Sequence, residues 1–465
     1  MKKISLLFCL LFAIGITLET YSQANFETSL HKTRNGKPTW YNAENGGFET
    51  LTNVPVEELG CVECHDAVDA NGDPYPSNYT PDCVDCHATN SAWEVTQGDC
   101  LGCHSREASI INNPAYSDVH RTAGFVCMDC HKKEELHGDD GNEYASFFEP
   151  GAVTTDCSNS GCHEGFTHPG GQDPHNGALH CTSCHAETNL ACYNCHFESQ
   201  VVAHLKRPVQ QITGFIMLVN RTKDGKVHPA TFQSLSYEGN TWIAMGPSVA
   251  HTIVKEGART CTDCHSNMGG QVDAIIDYND DGVIQFASWN TSDSTLSWLN
   301  GIVPIPADYL TSFKMDFLTY NGNPNDPVVP SKNWSFIGNE ADGFQLLYAT
   351  PLTPDQMAAI GMDTTGLTDI KTVNSVVPDK FSLEQNYPNP FNPETNIRYS
   401  IPEQTNVRLA VYDAIGNLVA ELVNEELPAG TYEVNFNAEG LSSGIYFYQI
   451  NAGVFKSTRK LILMK

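Results

Sequence analysis

The chain has 465 residues, of which 26 are Lys or Arg and 55 are Asp or Glu, so its formal net charge is −29. This acidity disfavours nucleic acid as a partner, because a phosphate backbone demands a basic surface. It favours basic redox proteins, cations or mineral surfaces, which long-range electrostatics would attract. The chain also holds 17 cysteines and 17 histidines, and their spacing carries most of the functional information.

Residues 1–24 have the pattern of a cleavable secretory signal peptide. A lysine-bearing start precedes an apolar stretch that begins at Ile4, and small residues just before Asn25 suit cleavage there. The stretch is too short for a comfortable membrane span, although a retained anchor is the alternative. We therefore expect an exported mature chain with no transmembrane segment.

Eight units of two cysteines followed at once by a histidine lie between residues 61 and 265, and we name each unit by its first cysteine. Seven have two residues between the cysteines, and the Cys157 unit has four. The units are Cys61-Cys64-His65, Cys83-Cys86-His87, Cys100-Cys103-His104, Cys127-Cys130-His131, Cys157-Cys162-His163, Cys181-Cys184-His185, Cys192-Cys195-His196 and Cys261-Cys264-His265. This is the attachment pattern of c-type haem, whose vinyl groups take the thiols while the adjacent imidazole becomes the proximal iron ligand. The sequence thus predicts eight haems c.

Paired cysteines have three other common uses in proteins. Structural zinc sites also use Cys-x-x-Cys pairs but need no histidine after every second cysteine. Redox-active pairs belong to a single motif within alternating strands and helices. A disulfide framework suits small secreted domains and leaves the histidines unexplained.

The region 25–270 is predicted to be an octahaem cytochrome c domain, mostly irregular with short helices. It is rich in Gly, Pro, Asn and Asp, and few windows show helical or strand periodicity. Such a region would be unfolded without its cofactors. The exception is 205–260, where strand-like runs flank Asp224-Gly225 and Glu238-Gly239 and predict a small β-meander insertion. We expect this meander to cover a haem and to present His228.

Nine histidines lie outside the motifs and are candidates for the distal iron ligands, of which eight haems need at most eight. They are His31, His120, His137, His168, His175, His180, His204, His228 and His251. His180, directly before Cys181, would serve a neighbouring haem because it cannot easily bend to its own. An iron with histidine on both sides has no free position for substrate, so such a haem carries electrons.

Residues 271–362 carry aromatic and aliphatic runs and are expected to pack on the haem domain. Asp277, Asn279, Asp281 and Gly282 match the first half of a calcium-binding loop. The twelfth position holds Ser288 in place of the expected carboxylate, so a solvated acidic turn is the alternative to a Ca²⁺ site.

A linker at 363–379 leads to the segment 380–465, which has neither Cys nor His. Its apolar and polar residues alternate in short runs broken by Gly, Pro and Asn. About seven such runs predict a C-terminal all-β Ig-like sandwich.

This C-terminal segment resembles the sorting domain of type IX secretion substrates. The likeness is carried by the run "NYPNPFNP" from Asn386, by "DAIGNLV" from Asp413, by Gly444-Ile445-Tyr446 and by the closing "KLILMK". The resemblance implies passage through the type IX secretion machinery, usually with removal of the domain. The alternative is an adhesive or structural Ig-like module.

The region of the eight units resembles the octahaem cytochromes c that include tetrathionate reductase and hydroxylamine oxidoreductase. The likeness is carried by the close pair "HCTSCHAETNLACYNCH" and by the isolated last unit "RTCTDCH". Those enzymes keep one haem open or Lys-ligated, and neither such a Lys nor the cross-linking Tyr of the hydroxylamine enzymes can be assigned here. The Cys157 unit departs further and resembles the four-residue spacing of small tetrahaem cytochromes.

Two functions follow from these patterns. The first is a secreted or cell-surface carrier that moves electrons through closely packed bis-His haems between a redox partner protein and an extracellular acceptor, singly or as a filament subunit. The second is an octahaem oxidoreductase acting on a small nitrogen or sulfur oxyanion at one open haem.

Overall fold

The computed structural model describes residues 26–56, 59, 81–87, 94–138, 141–159, 161–166, 168, 173–203, 207–325, 333–365, 370–374, 378, 380–427, 429–438 and 440–464. The predicted signal peptide, His204 and the whole Cys61 unit lie outside these residues.

Short helices make up most of the described chain before residue 140. They are α1 (Leu30–Thr33), α2 (Gly36–Tyr41), α3 (Glu49–Thr52), α4 (Cys83–His87), α5 (Gln97–Cys103), α6 (Ser105–Ile111), α7 (Val119–Thr122), α8 (Cys127–Cys130) and α9 (Lys133–His137), with a 3-10 turn at Ala43–Asn45. Helices this short are not stable in isolation. Their stability must therefore come from contacts outside the helices themselves.

Six further short helices lie later in the chain, and two of them carry attachment units. They are α10 (Thr182–His185), α11 (Phe197–Ala203), α12 (Cys261–Cys264), α13 (Asp273–Asp281), α14 (Tyr309–Ser312) and α15 (Pro354–Ile360), with a 3-10 turn at Ser266–Met268.

Strands dominate from residue 191 to residue 350. They are β1 (Ala191–His196), β2 (Pro208–Ile212), β3 (Phe215–Arg221), β4 (Val227–Tyr237), β5 (Asn240–Pro247), β6 (Ile284–Asn290), β7 (Thr295–Trp298), β8 (Gly301–Pro304), β9 (Phe313–Met315), β10 (Phe317–Tyr320), β11 (Trp334–Gly338), β12 (Gly343–Leu346) and β13 (Ala349–Thr350). Eight of them form one sheet, in which β12, β5, β4, β1 and β2 are neighbours in that order while β3 pairs with β4, β8 and β13.

The predicted meander is present as β3, β4 and β5, which pair antiparallel in sequence order. The connections fall at Asp224-Gly225 and at Glu238-Gly239, as the turn residues indicate. The expectation of a mostly irregular haem region is nevertheless wrong after residue 190, because the meander is the centre of a larger sheet. Strand β4 is buried along nearly its whole length, so it lacks the alternation by which a half-exposed strand is recognised.

Residues 271–362 join this sheet and do not merely pack on its outside. Strand β8 runs parallel to β3, and β12 runs parallel to β5. One apolar core spans both segments, with the rings of Phe215, Phe232, Phe286 and Phe313 in mutual contact. The boundary expected at 270/271 therefore falls inside a single packed body.

The segment that matches half of a calcium loop is helical. Asp277 and Asn279 lie in α13, and Gly282 ends this helix with a φ of 81°. The Asp277 carboxylate accepts a hydrogen bond from the Gln285 backbone N–H, and the Asn279 amide bonds to the backbone of Gly361 and Asp363. The expectation of a loop is thus wrong, because these side chains are used to dock the helix. Calcium binding itself stays an untested prediction.

The C-terminal segment forms two four-stranded sheets. Its strands are β14 (Ile370–Asn374), β15 (Ser382–Leu383), β16 (Glu394–Ile401), β17 (Thr405–Tyr412), β18 (Leu418–Leu427), β19 (Gly430–Asn437), β20 (Gly444–Ala452) and β21 (Phe455–Leu463). One sheet has the order β14-β19-β16-β15 and the other β18-β17-β20-β21. Alternate residues such as Val407, Leu409 and Val411 point into a shared apolar core. The predicted all-β sandwich is confirmed.

Candidate haem-ligating residues

Four attachment units lie on short helices that are closed at their N-termini by an aspartate. The carboxylates of Asp85, Asp99, Asp129 and Asp263 each accept a hydrogen bond from the backbone N–H three residues earlier, at 2.6–2.7 Å. This is the capping arrangement that starts a helix where the orphan N–H groups need an acceptor. The capping role of these aspartates was not predicted. Asp85, Asp129 and Asp263 stand directly before the second cysteine of their units and Asp99 directly before the first, and this recurrence was the available signal.

The Cys192 unit differs from these four in that it lies on strand β1. Residues three apart on a regular strand face opposite sides of the sheet. Here Asn194 has a φ of 47°, and the pairing of β1 with β4 shifts register between Cys192 and Cys195. The resulting bulge lets both cysteines pack against one apolar cluster, which also contains Phe197.

Five motif histidines each face one histidine from outside the motifs. The ring-centroid distances are 6.2 Å for His104 with His31, 6.2 Å for His87 with His137, 6.1 Å for His163 with His120, 6.4 Å for His131 with His251, and 6.2 Å for His265 with His175. Every pair combines one predicted proximal ligand with one predicted distal candidate. Partners in a pair are separated along the chain by many residues, so tertiary structure alone brings them together.

The spacing within these pairs is that of two imidazoles on opposite sides of one metal ion. A metal–imidazole bond is about 2.0 Å and a ring nitrogen lies roughly 1.1 Å from its ring centre, which places the two centres about 6.2 Å apart. Imidazoles in direct contact come closer, as His180 and His228 show with stacked rings 4.2 Å apart. The five pairs therefore fit an iron between each two rings.

The other ring nitrogen of several motif histidines is held by a protein acceptor. His265 Nδ1 donates to the Ala359 carbonyl at 2.9 Å, and His185 Nδ1 donates to the Val254 carbonyl at 2.8 Å. His131 Nδ1 lies 3.3 Å from Glu135 Oε2. Such partners fix the ring and its tautomer and leave Nε2 for a metal.

Burial favours the neutral form, which a metal ligand needs, in two of the distal candidates. Burial, together with the nearby His104, lowers the pKa of His31 to about 4. Burial also lowers the pKa of His251. A neutral imidazole has a lone pair to donate, so this environment suits ligation.

Large apolar side chains are exposed beside one of the pairs. Phe125 and Phe166 are 48% and 65% exposed. Their rings meet those of His120 and His163 edge-on at 6.1 Å. An apolar porphyrin held between these two histidines would lie beside both phenyl groups. The residues around the irregular Cys157 unit are therefore compatible with a haem.

The remaining candidates are not in this arrangement. His180 Nε2 lies 3.3 Å from Asp156 Oδ2, and His228 Nε2 lies 2.9 Å from Asp224 Oδ2, so neither ring presents Nε2 to a motif histidine. The meander does present His228, but towards His180. Among the described residues, neither His185 nor His196 has an imidazole facing it at the 6 Å spacing, and His168 enters no histidine pair.

No group of three or more His, Cys, Asp or Glu side chains that could hold a metal ion occurs within the described ranges. The histidine pairs supply two ligands each. Within the same ranges, no helix is long and apolar enough to cross a membrane.

Comparison with known proteins identifies one part of the chain. Residues 385–464 match the secretion system C-terminal sorting domain family. Among solved structures, the chain is similar to PorZ, an essential bacterial surface component of the type IX secretion system of Porphyromonas gingivalis, with 21% identity over 19% of this chain and 12% of that chain and a TM-score of 0.14. No curated protein matches the chain. The β-sandwich at residues 385–464 is thus a type IX secretion sorting domain, and the chain that carries it is exported to the cell surface or the extracellular space.

Proposed function

We propose that this exported protein is an octahaem c-type cytochrome that conducts electrons through bis-His haems. The single observation that carries the proposal is the set of five imidazole pairs at 6.1–6.4 Å, each joining a motif histidine to a distal candidate. Chance packing of histidines would also bring motif histidines together with one another, and no such pair occurs among the described residues at that distance.

The chain's own residues have three tasks in this function. The paired thiols hold each porphyrin through thioether bonds, which do not depend on the distal ligand. The two imidazoles of each of the five pairs would hold the haem iron between them, so oxidation and reduction would require no exchange of protein ligands. The haem iron supplies the one-electron chemistry when it is bound. The acidic surface then favours a basic partner or a cationic or mineral acceptor.

A second candidate function, an octahaem oxidoreductase acting on a small nitrogen or sulfur oxyanion, is supported by the Cys192 unit. His196 is buried, its Nδ1 is 3.0 Å from Ser199 Oγ, and its Nε2 is 3.0 Å from Glu198 Oε2. The rings beside it are Tyr320 and Trp334, not a histidine. To hold an iron, His196 Nε2 would have to leave the Glu198 carboxylate, and an iron held there without a second histidine would have a free position for substrate.

Intact mass measured after denaturation tests the proposal. The mature protein should carry the added mass of eight covalent haems, and peptide mapping should find one of them on Cys157 and Cys162. A protein without covalent haem would refute the proposal. Seven haems, with Cys157 and Cys162 free or joined as a disulfide, would refute only the assignment of the irregular unit.

Carbon monoxide binding separates the two functions. A protein with eight bis-His irons should show no high-spin ferric signal and should not bind carbon monoxide when reduced. Uptake of one equivalent of carbon monoxide would reject the conduit for that haem and favour the oxidoreductase.

A further inference from the structure

The first two junctions between attachment units are made by helix packing. Helix α4, which carries the Cys83 unit, packs on α5, which carries the Cys100 unit, and α5 packs on α8, which carries the Cys127 unit. The nearby Cys127 thiol contributes to the raised pKa of Cys100, which agrees with this packing. Because a thioether sits on the porphyrin edge, two haems attached at such close cysteines would have neighbouring edges.

The Cys127 unit in turn adjoins the Cys157 unit. Thr155, two residues before Cys157, donates its hydroxyl to the Cys130 carbonyl at 2.9 Å. Glu135 binds the same segment. Its Oε1 accepts hydrogen bonds from the backbone N–H groups of Thr154 and Thr155 at 2.7 Å and 2.6 Å, and its Oε2 faces His131. Glu135 therefore connects His131 of the Cys127 unit to the segment that leads into the Cys157 unit.

The next junction joins the Cys157 and Cys181 units. The thiols of their first cysteines are near enough for each to shift the pKa of the other, which is raised for Cys157 and lowered for Cys181. The preceding residues are also linked, since His180 Nε2 lies 3.3 Å from Asp156 Oδ2. This explains the position of His180, which ties two units together where the sequence suggested an iron ligand.

The last junction joins the Cys181 and Cys261 units. The backbone N–H of Arg259, two residues before Cys261, donates to the Cys184 carbonyl at 3.0 Å, and the Arg259 guanidinium bonds the carbonyls of Ala186 and Glu187. A cavity of about 560 Å³ opens here, lined by Cys184, Arg259 and residues 262–263 among others. The two units thus face a common space.

Among the attachment units that the structure describes, we infer that six haems form one run in the order of the Cys83, Cys100, Cys127, Cys157, Cys181 and Cys261 units. The inference rests on the proposed function and adds the path that electrons take through it. The junctions are made without the Cys192 unit, whose cysteines pack against the cluster that contains Phe197.

Haems held by these units would supply one-electron chemistry, so an electron that passes along the run would oxidise one iron and reduce the iron of the next unit. No bond would be formed or broken in this exchange. A one-electron donor would reduce the haems of the run, and a one-electron acceptor would oxidise them.

Iron positions in the holoprotein test the order, by cryo-electron microscopy or by anomalous scattering at the iron edge of a crystal. Each iron in the run should have its expected neighbour in the run as its nearest one. An iron of the Cys157 unit closer to the Cys100 unit than to the Cys127 and Cys181 units would overturn the order. Haems present in another order would refute this inference alone, whereas missing haems would refute the proposed function.

A pair of variants tests the same order in solution. His120→Ala should make the haem of the Cys157 unit high-spin, and His175→Ala should do so for the Cys261 unit. Fast-relaxing high-spin iron accelerates the spin relaxation of its low-spin neighbours in pulsed EPR. The first variant should affect the low-spin haem of the Cys127 unit, which adjoins the Cys157 unit, and the second should not, because its neighbour in the run is the Cys181 unit. Equal effects of the two variants would contradict the run.

Discussion

At the scale of single residues, the separation between two imidazoles distinguishes a ligand pair from a packing contact. His131 and His251 lie 6.4 Å apart with their rings inclined at 63°, whereas His180 and His228 stack at 4.2 Å and 18°. The carboxylates of Asp156 and Asp224 hold the second pair away from any motif histidine. His251, His180 and His228 were equally good ligand candidates in the sequence, but the structure gives them different surroundings.

Replacing one histidine from each class should have opposite spectroscopic results. His251→Ala should leave all haems attached but convert the haem of the Cys127 unit to high spin, because the thioethers hold the porphyrin independently of the sixth ligand. His228→Ala, the matched control, should leave the spin state unchanged. Absorption and EPR spectra of the ferric protein measure both. A low-spin His251→Ala protein would contradict the assignment.

Glu135 is expected to tune the potential of the same haem. Its Oε2 faces His131 Nδ1, and a carboxylate acceptor makes a ligating imidazole more basic and so favours ferric iron. Glu135→Gln should therefore raise the midpoint potential of one haem, by on the order of tens of mV. Potentiometric titration would show it. The control is Glu134→Gln, since the exposed Glu134 carboxylate lies 3.8 Å from the exposed Lys133 ammonium, and an equal shift in both variants would contradict this role.

At the scale of elements, the attachment helices are too short to stand alone, so their caps matter more than in longer helices. The carboxylate of Asp263 accepts from both the backbone N–H and the hydroxyl of Thr260, which lowers the pKa of Asp263. A lowered carboxyl pKa means that the cap contributes fully above the ordinary value of 3.8 and is lost as the pH falls through the lower value in the folded protein.

Removing this cap should impair one attachment unit. Asp263→Ala should destabilise the helix by about 1 kcal/mol and lower the fraction of Cys261 and Cys264 that carries haem, because the two thiols are then less well positioned. Peptide mapping by mass spectrometry measures that fraction unit by unit. Asp280→Ala, at an exposed position in α13, is the control and should leave it unchanged. Full attachment in Asp263→Ala would show that haem binding alone orders the helix.

At the scale of the whole molecule, the chain combines a body that carries the Cys–His units with a sorting domain that directs export. Deleting residues 385–464 should cause the haem-loaded protein to accumulate inside the cell envelope, because the sorting domain is then absent. Immunoblots of cell and medium fractions measure this. Val454→Ser, at a turn residue that is 99% exposed, should be secreted normally. Normal secretion of the truncated chain would instead favour a simple Ig-like module.

The sequence alone determined the features that depend on neighbouring residues. The eight attachment units, the meander turns at Asp224-Gly225 and Glu238-Gly239, and the alternating strands of the sorting domain are local patterns. Each is readable because the chemistry or the backbone geometry involved acts over a few residues. The candidate ligands could be named in the same way, since histidines and cysteines are specific in kind even when their partners are unknown.

Only the tertiary structure decided which residues meet. The pairing of His31 with His104 and of His131 with His251, the entry of β8 and β12 into the central sheet, and the diversion of His180 and His228 to carboxylates all join distant parts of the chain. Strand β4 is buried on both faces, so its sequence has no alternation of apolar and polar residues from which its neighbouring strands could be predicted. Long-range contacts are set by the packing of the whole chain, because many pairings of the same local pieces would satisfy the local patterns equally well.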